Sequence, residues 1–128
     1  MPRESITVYV VDDDDSIRRA LKRLLRSVGY HARTFESAED FLELAPNPGE
    51  GCLVLDINLP KMTGLDLQAK LASRGMKYSV IFMTAFDNPR WQESAKKMGA
   101  IAYLKKPFKD QALFDAIDQY RLRRKGLS

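Results

Sequence analysis

The stretch CLVLDINLP at residues 52–60 decides the fold of this chain. Four apolar residues lead directly into Asp56, and Gly51 and Pro60 bound the run. An unbroken apolar run of this length predicts a β-strand that is buried on both faces, as the strands of a parallel sheet are. Asp56 then stands at the carboxyl end of the strand, which is where open α/β sheets bind their ligands. The stretch alone leaves two interpretations open: Asp56 begins a turn, or it belongs to a ligand site.

Apolar, strand-like runs alternate with segments of helical periodicity along the rest of the chain. The predicted strands cover residues 6–11, 30–35, 52–56, 80–84 and 101–104. After each strand, apolar residues at three- and four-residue spacing predict a helix. Five strands that each precede a helix predict a parallel sheet with right-handed crossovers and helices on both faces. A (β/α)₈ barrel is excluded, because it needs about 250 residues and the chain has 128.

Polar residues at the predicted helix starts suit capping positions. We expect Asp15 or Ser16 to cap the first helix, because short polar side chains can accept hydrogen bonds from free backbone N–H groups. Thr63, followed three residues later by an acid, resembles a capping box before the third helix. Asp87 or Asn88 is the predicted cap of the fourth.

The composition is that of an ordinary globular protein, with 45% apolar and 30% charged residues. No apolar segment approaches membrane-spanning length and residues 1–5 contain no apolar signal region, so we expect a cytoplasmic protein without a membrane partner. Cys52, the single cysteine, excludes an internal disulfide and fits a reducing compartment. Its aliphatic neighbours predict a buried, inert thiol. The net charge of +4 is too small to argue for nucleic-acid binding.

Polar side chains stand at the carboxyl ends of four of the predicted strands. They are Asp12 and Asp13, Asp56, Thr84, and Lys106. Because these ends meet at one edge of a parallel sheet, three carboxylates, a hydroxyl and an ammonium should converge there. Three acids so close together repel one another, and an all-oxygen ligand set without His or Cys favours Mg²⁺ as the cation that relieves the repulsion. The hydroxyl and the ammonium suit a phosphoryl oxygen.

With these residues in this order, the chain resembles the receiver domains of two-component response regulators from residue 6 to about residue 122. The residues that carry the resemblance are Asp12, Asp13, Asp56, Pro60, Gly64, Thr84, Ala85, Tyr103, Lys106, Pro107 and Phe108. Residues 37–41 and 106–110 point to a FixJ-like subgroup. The resemblance implies a flavodoxin-like three-layer (βα)₅ sandwich of the α/β class, with a parallel five-stranded sheet in the order 2-1-3-4-5. It places the receiver domain at residues 1–122, with residues 123–128 as a basic tail or the start of a linker.

The resemblance also implies a phospho-acceptor and a metal centre. Asp56 would accept a phosphoryl group from a partner kinase. Asp13 and Asp56 would ligate Mg²⁺ directly, together with the backbone carbonyl of Asn58, and Asp12 would bind the metal through water. The Asn58 side chain would then be free, and its identity would tune the reaction rate.

Three further residues receive roles from the same resemblance. Thr84 and Lys106 would bind the phosphoryl group, and Tyr103 would be an aromatic switch that turns inward as Thr84 moves. The Lys106–Pro107 peptide bond would be cis, an isomer that is otherwise rare. Phe86 flanks the site and would affect the phosphoryl lifetime.

The implied function is a signalling switch that takes part in two-component signal transduction, with self-phosphorylation and self-dephosphorylation as its only chemistry. Its partners would be a sensor histidine kinase and a second copy of the chain, bound through the fourth helix and fifth strand. DNA would be contacted only through an output domain outside this chain, which would regulate transcription. The alternatives are a stand-alone receiver in a phosphorelay and a Mg²⁺-dependent aspartyl phosphatase. Such phosphatases place a second Asp where Asn58 stands.

Overall fold

A computed structural model describes residues 6–45, 50–86 and 88–124. Within them five strands alternate with five helices, as predicted: β1 (Thr7–Val11), α1 (Asp15–Ser27), β2 (His31–Phe35), α2 (Ala38–Leu44), β3 (Glu50–Asp56), α3 (Gly64–Ser73), β4 (Lys77–Thr84), α4 (Pro89–Lys97), β5 (Ala102–Lys105) and α5 (Asp110–Arg124). Strands β3 and β4 begin earlier than their apolar runs, because parallel pairing extends to Glu50 and Lys77.

The strands form one parallel sheet in the order β2-β1-β3-β4-β5, which confirms the predicted topology. Strands β1 and β3 are neighbours, with Val11 opposite Leu55. Asp56 lies opposite Met83, one residue before the end of β4. The register therefore brings the ends of β1, β3 and β4 to one edge of the sheet.

Two apolar clusters, one on each face of the sheet, form the core. Strand β3 contributes to both, because successive side chains of a strand point to opposite faces. Cys52 and Val54 pack in the cluster that contains residues of α1 and α5, and Leu53 and Leu55 pack in the cluster that contains residues of α2, α3 and α4. All four are fully buried. The predicted burial of the Cys52 thiol is confirmed, and burial raises its pKa to about 12.

The cap of α1 differs from both predicted residues. Asp14, not Asp15 or Ser16, is the N-cap, and its Oδ1 accepts hydrogen bonds from the backbone N–H groups of Ser16 at 2.8 Å and Ile17 at 3.3 Å. The helix begins two residues before Ile17, the first apolar residue of its stripe, so Asp15 already lies in the first turn. There Asp15 forms an ion pair with Arg18.

Two other predicted caps are confirmed. Thr63 and Asp66 form a reciprocal capping box at the start of α3. The side chain of Asn88 accepts a hydrogen bond from the Arg90 N–H at 3.0 Å and so caps α4. The alternative cap, Asp87, lies outside the described residues.

The C-terminal helix α5 continues to Arg124. The domain boundary predicted at residue 122 stays a prediction, and residues 125–128 of the predicted tail lie outside the described ranges, as do residues 1–5 and the loop at 46–49. Among the described helices, none has the length and apolar character needed to cross a membrane.

Candidate functional site

The structure brings the three predicted acids together at the carboxyl edge of the sheet. Asp12 and Asp13 follow β1, and Asp56 is the last residue of the neighbouring strand β3. One carboxylate oxygen of each lies within 4.8 Å of the others. Asp12 is fully buried and Asp56 is 4% exposed, whereas Asp13 is exposed to solvent. The cluster therefore has a buried side and one open side.

Both carboxylate oxygens of Asp12 are engaged within the protein. Oδ1 accepts a hydrogen bond from the Asp14 N–H at 2.9 Å, and Oδ2 accepts one from the Lys106 ammonium at 2.7 Å. The guanidinium of Arg18 donates to the Asp12 backbone carbonyl at 2.7 Å. Sequence reasoning assigned Lys106 to a phosphoryl group and missed its ion pair with Asp12. No local sequence pattern indicates this ion pair, because the two residues are 94 positions apart in the chain and only the fold brings them together.

Lys106 also reaches Asp56, with 3.5 Å between Nζ and Oδ2. Burial alone would lower the pKa of Lys106, but the hydrogen bond and charge of Asp12, together with the charge of Asp56, raise it above its ordinary value. The side chain is therefore a positively charged ammonium at neutral pH. The Lys106–Pro107 peptide bond is cis, as predicted.

Asp56 carries an unusually basic carboxylate. Burial raises its pKa, and the negative charge of Asp12 raises it further, while the hydrogen bond from the Asn58 N–H to Oδ1, at 2.9 Å, opposes the rise. A carboxylate under such repulsion gains from a nearby cation. The cluster offers hard oxygen donors and contains neither His nor Cys. These donors fit Mg²⁺, which binds through one or two carboxylates and keeps positions for water and phosphate oxygens.

The side chain of Asn58 is not free, so that expectation was wrong. Its Oδ1 accepts a hydrogen bond from the hydroxyl of Thr84 at 2.8 Å. The reason lies in the register: Asp56 pairs with Met83, so the segment after β3 runs beside the end of β4. Thr84 itself is fully buried. A sequence pattern places both residues at the same edge but cannot give the orientation of their side chains.

Tyr103 lies on β5, opposite Phe82 of β4. It is partly buried and packs against the apolar cluster on the face of α2, α3 and α4. Thr84 ends the neighbouring strand β4 and pairs with Lys105, two residues beyond Tyr103. The switch role of Tyr103 stays a prediction.

Gly64, the first residue of α3, is needed for the close approach of this helix to the site. A Cβ at this position would lie 2.5 Å from the backbone oxygen of Asp56 and 2.9 Å from the Cα of Ile57. The Gly64 N–H donates to the Ile57 carbonyl at 3.0 Å. Sequence reasoning used Gly64 only as part of a motif, although a glycine at a helix start already indicates such a close contact.

An apolar groove of about 870 Å³ opens beside the site, between α1 and the segment that follows β5. Its lining includes Ile17, Leu21, Leu24, Phe108 and, at the end nearest the acids, Lys106. The sequence pattern counted these leucines as core, and only the fold reveals the groove beside them.

Comparison with known proteins adds independent information. The family model of the response regulator receiver domain matches residues 8–118. The transcriptional regulatory protein TdiR of Thauera aromatica is 43% identical over 112 residues, which are 88% of this chain and 49% of that protein. The transcriptional regulatory protein FixJ of Azorhizobium caulinodans is 39% identical over 114 residues, which are 89% of this chain and 54% of that protein. The chain thus spans about half the length of these curated relatives.

Solved structures give the same result. The response regulator StyR matches with a TM-score of 0.84 and 42% identity, covering 95% of this chain and 65% of that one. The FixJ-N structure matches with a TM-score of 0.82 and 32% identity, covering 90% of this chain and 92% of that one. The family match covers most of the chain, and the sheet order agrees with it. The chain therefore belongs to the response regulator receiver domain family of two-component systems.

Proposed function

We propose that this receiver domain accepts a phosphoryl group from a sensor histidine kinase onto Asp56, in a Mg²⁺-dependent reaction, and changes conformation to control an output. One observation carries the proposal. The nearly buried carboxylate of Asp56 lies within 4.8 Å of two further acids and 3.5 Å from the Lys106 ammonium. The acids stand at the ends of β1 and β3, and the lysine follows β5. At the open edge of the sheet, such a group suits both a divalent cation and a phosphoryl group.

Asp13 and Asp56 would hold Mg²⁺ directly, with the backbone carbonyl of Asn58, and Asp12 would act through water. The engagement of both Asp12 oxygens by protein donors supports this division of roles. Asp13 is exposed and so remains open to a metal from solvent. When bound, the cation supplies charge neutralisation for the carboxylates and for the incoming phosphoryl group.

A carboxylate oxygen of Asp56 would attack the phosphorus of a phosphohistidine on the kinase. An O–P bond forms, the P–N bond breaks, and its electron pair leaves with the imidazole nitrogen of the donor. Lys106 already lies close to Asp56 and would pair with the oxygens of the transferred group. The Thr84 hydroxyl would donate a hydrogen bond to one of them.

The kinase must bring its phosphohistidine to this edge of the sheet. We infer that its phosphohistidine domain docks in the apolar groove between α1 and the segment after β5, since Lys106 is one of the residues that line this groove. Arg23 of α1 also lines the groove and would favour an acidic rim on the partner. The groove thus gives the donor a surface next to the acceptor.

The output would follow from a shift of Thr84 and Tyr103, with a homodimer through α4 and β5 as the expected assembly. The names of TdiR and FixJ describe transcriptional regulatory proteins. This chain spans about half of each, so transcription regulation would act through an output domain that contacts DNA. A stand-alone receiver in a phosphorelay would use the same chemistry. An aspartyl phosphatase is disfavoured, because the Asn58 amide cannot replace a general acid.

The direct test is phosphorylation by a small acyl phosphate in the presence of Mg²⁺, followed by intact-mass spectrometry. The wild-type protein should gain the mass of one phosphoryl group, and chelation of Mg²⁺ should prevent the gain. Asp56→Asn is the matched control, since it preserves the shape of the side chain and removes the nucleophile. No mass gain in the wild type, or an equal gain in Asp56→Asn, would overturn the proposal.

A further inference from the structure

We propose that the Asn58 side chain is a positioning residue that holds the Thr84 hydroxyl in its resting place and competes with the phosphoryl group for it. The inference rests on the proposed function and deepens it. It assigns to Asn58 a control over how readily the phosphorylated state forms, separate from any contact that its backbone makes with a metal.

The Thr84 hydroxyl has two possible acceptors in this structure. Its Oγ1 lies 2.8 Å from Asn58 Oδ1 and 3.0 Å from the backbone oxygen of Phe86, and it accepts a hydrogen bond from the Phe86 N–H at 3.1 Å. A hydroxyl has a single proton to donate. The contact with Asn58 is the shorter of its two acceptor contacts, so Asn58 is the favoured acceptor in this state.

The Thr84 hydroxyl can donate its proton to only one acceptor at a time. A Thr84 hydroxyl that donates to Asn58 cannot donate to a phosphoryl oxygen on Asp56 at the same time. Thr84 is fully buried, so water cannot replace a lost partner without cost. Donation to the phosphoryl group must therefore break the hydrogen bond that the Thr84 hydroxyl donates to Asn58 Oδ1.

Asn58 contacts both Asp56 and Thr84. Its backbone N–H donates to Asp56 Oδ1 at 2.9 Å, while its side chain binds Thr84. One residue thus contacts both the carboxylate that would be phosphorylated and the hydroxyl that would respond. The Asn58 side chain is only partly buried and belongs to neither apolar cluster, so its removal need not disturb the core.

Loss of the side-chain amide should favour the state with the phosphoryl group. In Asn58→Leu, the Thr84 hydroxyl would keep only its longer acceptor contact, with the Phe86 carbonyl, and would lose less when it binds a phosphoryl analogue. We expect beryllofluoride to bind about two- to tenfold more tightly, the factor that corresponds to one net hydrogen bond.

The experiment is a double-mutant cycle by isothermal titration calorimetry, with beryllofluoride titrated into protein saturated with Mg²⁺. Asn58→Leu is combined with Thr84→Val, which removes the hydroxyl, and separately with Thr84→Ser, which keeps it. The gain in affinity should persist with Thr84→Ser and vanish with Thr84→Val. Asn58→Ala is a second variant for the case that leucine disturbs the fold, which thermal unfolding would reveal.

Two negative outcomes are distinguishable. In the first outcome, the wild type binds beryllofluoride, but the Asn58 variants bind it no more tightly, or their affinity rises equally when the Thr84 hydroxyl is absent. The positioning role is then wrong and the proposed function stands. If the wild type does not bind beryllofluoride at all, the proposed function itself fails, and the positioning role fails with it.

Discussion

Lys106 illustrates how single residues control the charge of this site. Its ammonium forms an ion pair of 2.7 Å with Asp12, whose side chain is only 1% exposed, and a longer one with Asp56. A buried carboxylate needs such a partner, because the loss of one member leaves an uncompensated charge. Lys106 therefore compensates the buried charge of Asp12 and lies 3.5 Å from the carboxylate of Asp56.

We expect Lys106→Met to lower the free energy of unfolding by about 3 kcal/mol, the lower end for breaking a buried pair, because Lys106 is partly exposed. Urea unfolding would measure the change. Lys109→Met is the matched control, since Lys109 is exposed, and it should change stability by less than about 0.5 kcal/mol. Equal stabilities for the two variants would show that the ion pair with Asp12 contributes little.

The raised pKa of Asp56 gives a prediction with a definite sign. The folded protein binds this proton more tightly than the unfolded chain, whose carboxyl has its ordinary pKa of 3.8. The free energy of unfolding should therefore fall as the pH rises from the ordinary pKa through the raised one. Asp56→Asn cannot ionise, so without Mg²⁺ it should be more stable than the wild type near neutral pH, and the difference should shrink towards about pH 4.

Urea unfolding of both proteins over this pH range, in a chelating buffer, tests the sign. Glu93→Gln, a neutral replacement on the exposed face of α4, is the control and should follow the wild type. If the wild type is more stable than Asp56→Asn at neutral pH, burial does not raise the pKa of Asp56 as described.

At the scale of elements, the contact between the start of α3 and the end of β3 shapes the site. The missing side chain of Gly64 lets the helix lie directly against the backbone of Asp56, with a hydrogen bond to Ile57. The capping box of Thr63 and Asp66 fixes where that helix begins. The segment between β3 and α3 is thereby held close to the end of β3, which positions both Asp56 and Asn58.

Gly64→Ala should lower the free energy of unfolding by about 1–3 kcal/mol, because the added methyl group forces rigid backbone apart. It should also reduce phosphoryl acceptance, since Asp56 would move. Gly75→Ala is an informative comparison: apart from the chain neighbours, no atom of the described residues lies within 4 Å of the added methyl, but an alanine would be strained at the φ of +71°. That variant should lose some stability and keep full phosphoryl acceptance, and a loss of acceptance there would argue against a local effect at Gly64.

At the scale of the whole molecule, the apolar pattern predicted the five strands, the five helices and the convergence of side chains at one edge. The strand order came from the family resemblance, because hydrophobic periodicity does not specify which strands are neighbours. The pattern could not give the hydrogen bond between Asn58 and Thr84 or the ion pair between Lys106 and Asp12. Both depend on side-chain orientation between residues far apart in the chain. The cap at Asp14 was missed because acids occupy four consecutive positions, residues 12–15, and each offers the same capping chemistry.

The central claim is that Asp56 accepts a phosphoryl group and that Thr84 and Tyr103 respond. The most direct measurement is the NMR spectrum of backbone amides on addition of beryllofluoride with Mg²⁺. We expect the amide resonances around Asp56, Thr84 and Tyr103 to shift in the wild type and not in Asp56→Ala. An unchanged wild-type spectrum, or the same shifts in Asp56→Ala, would contradict it.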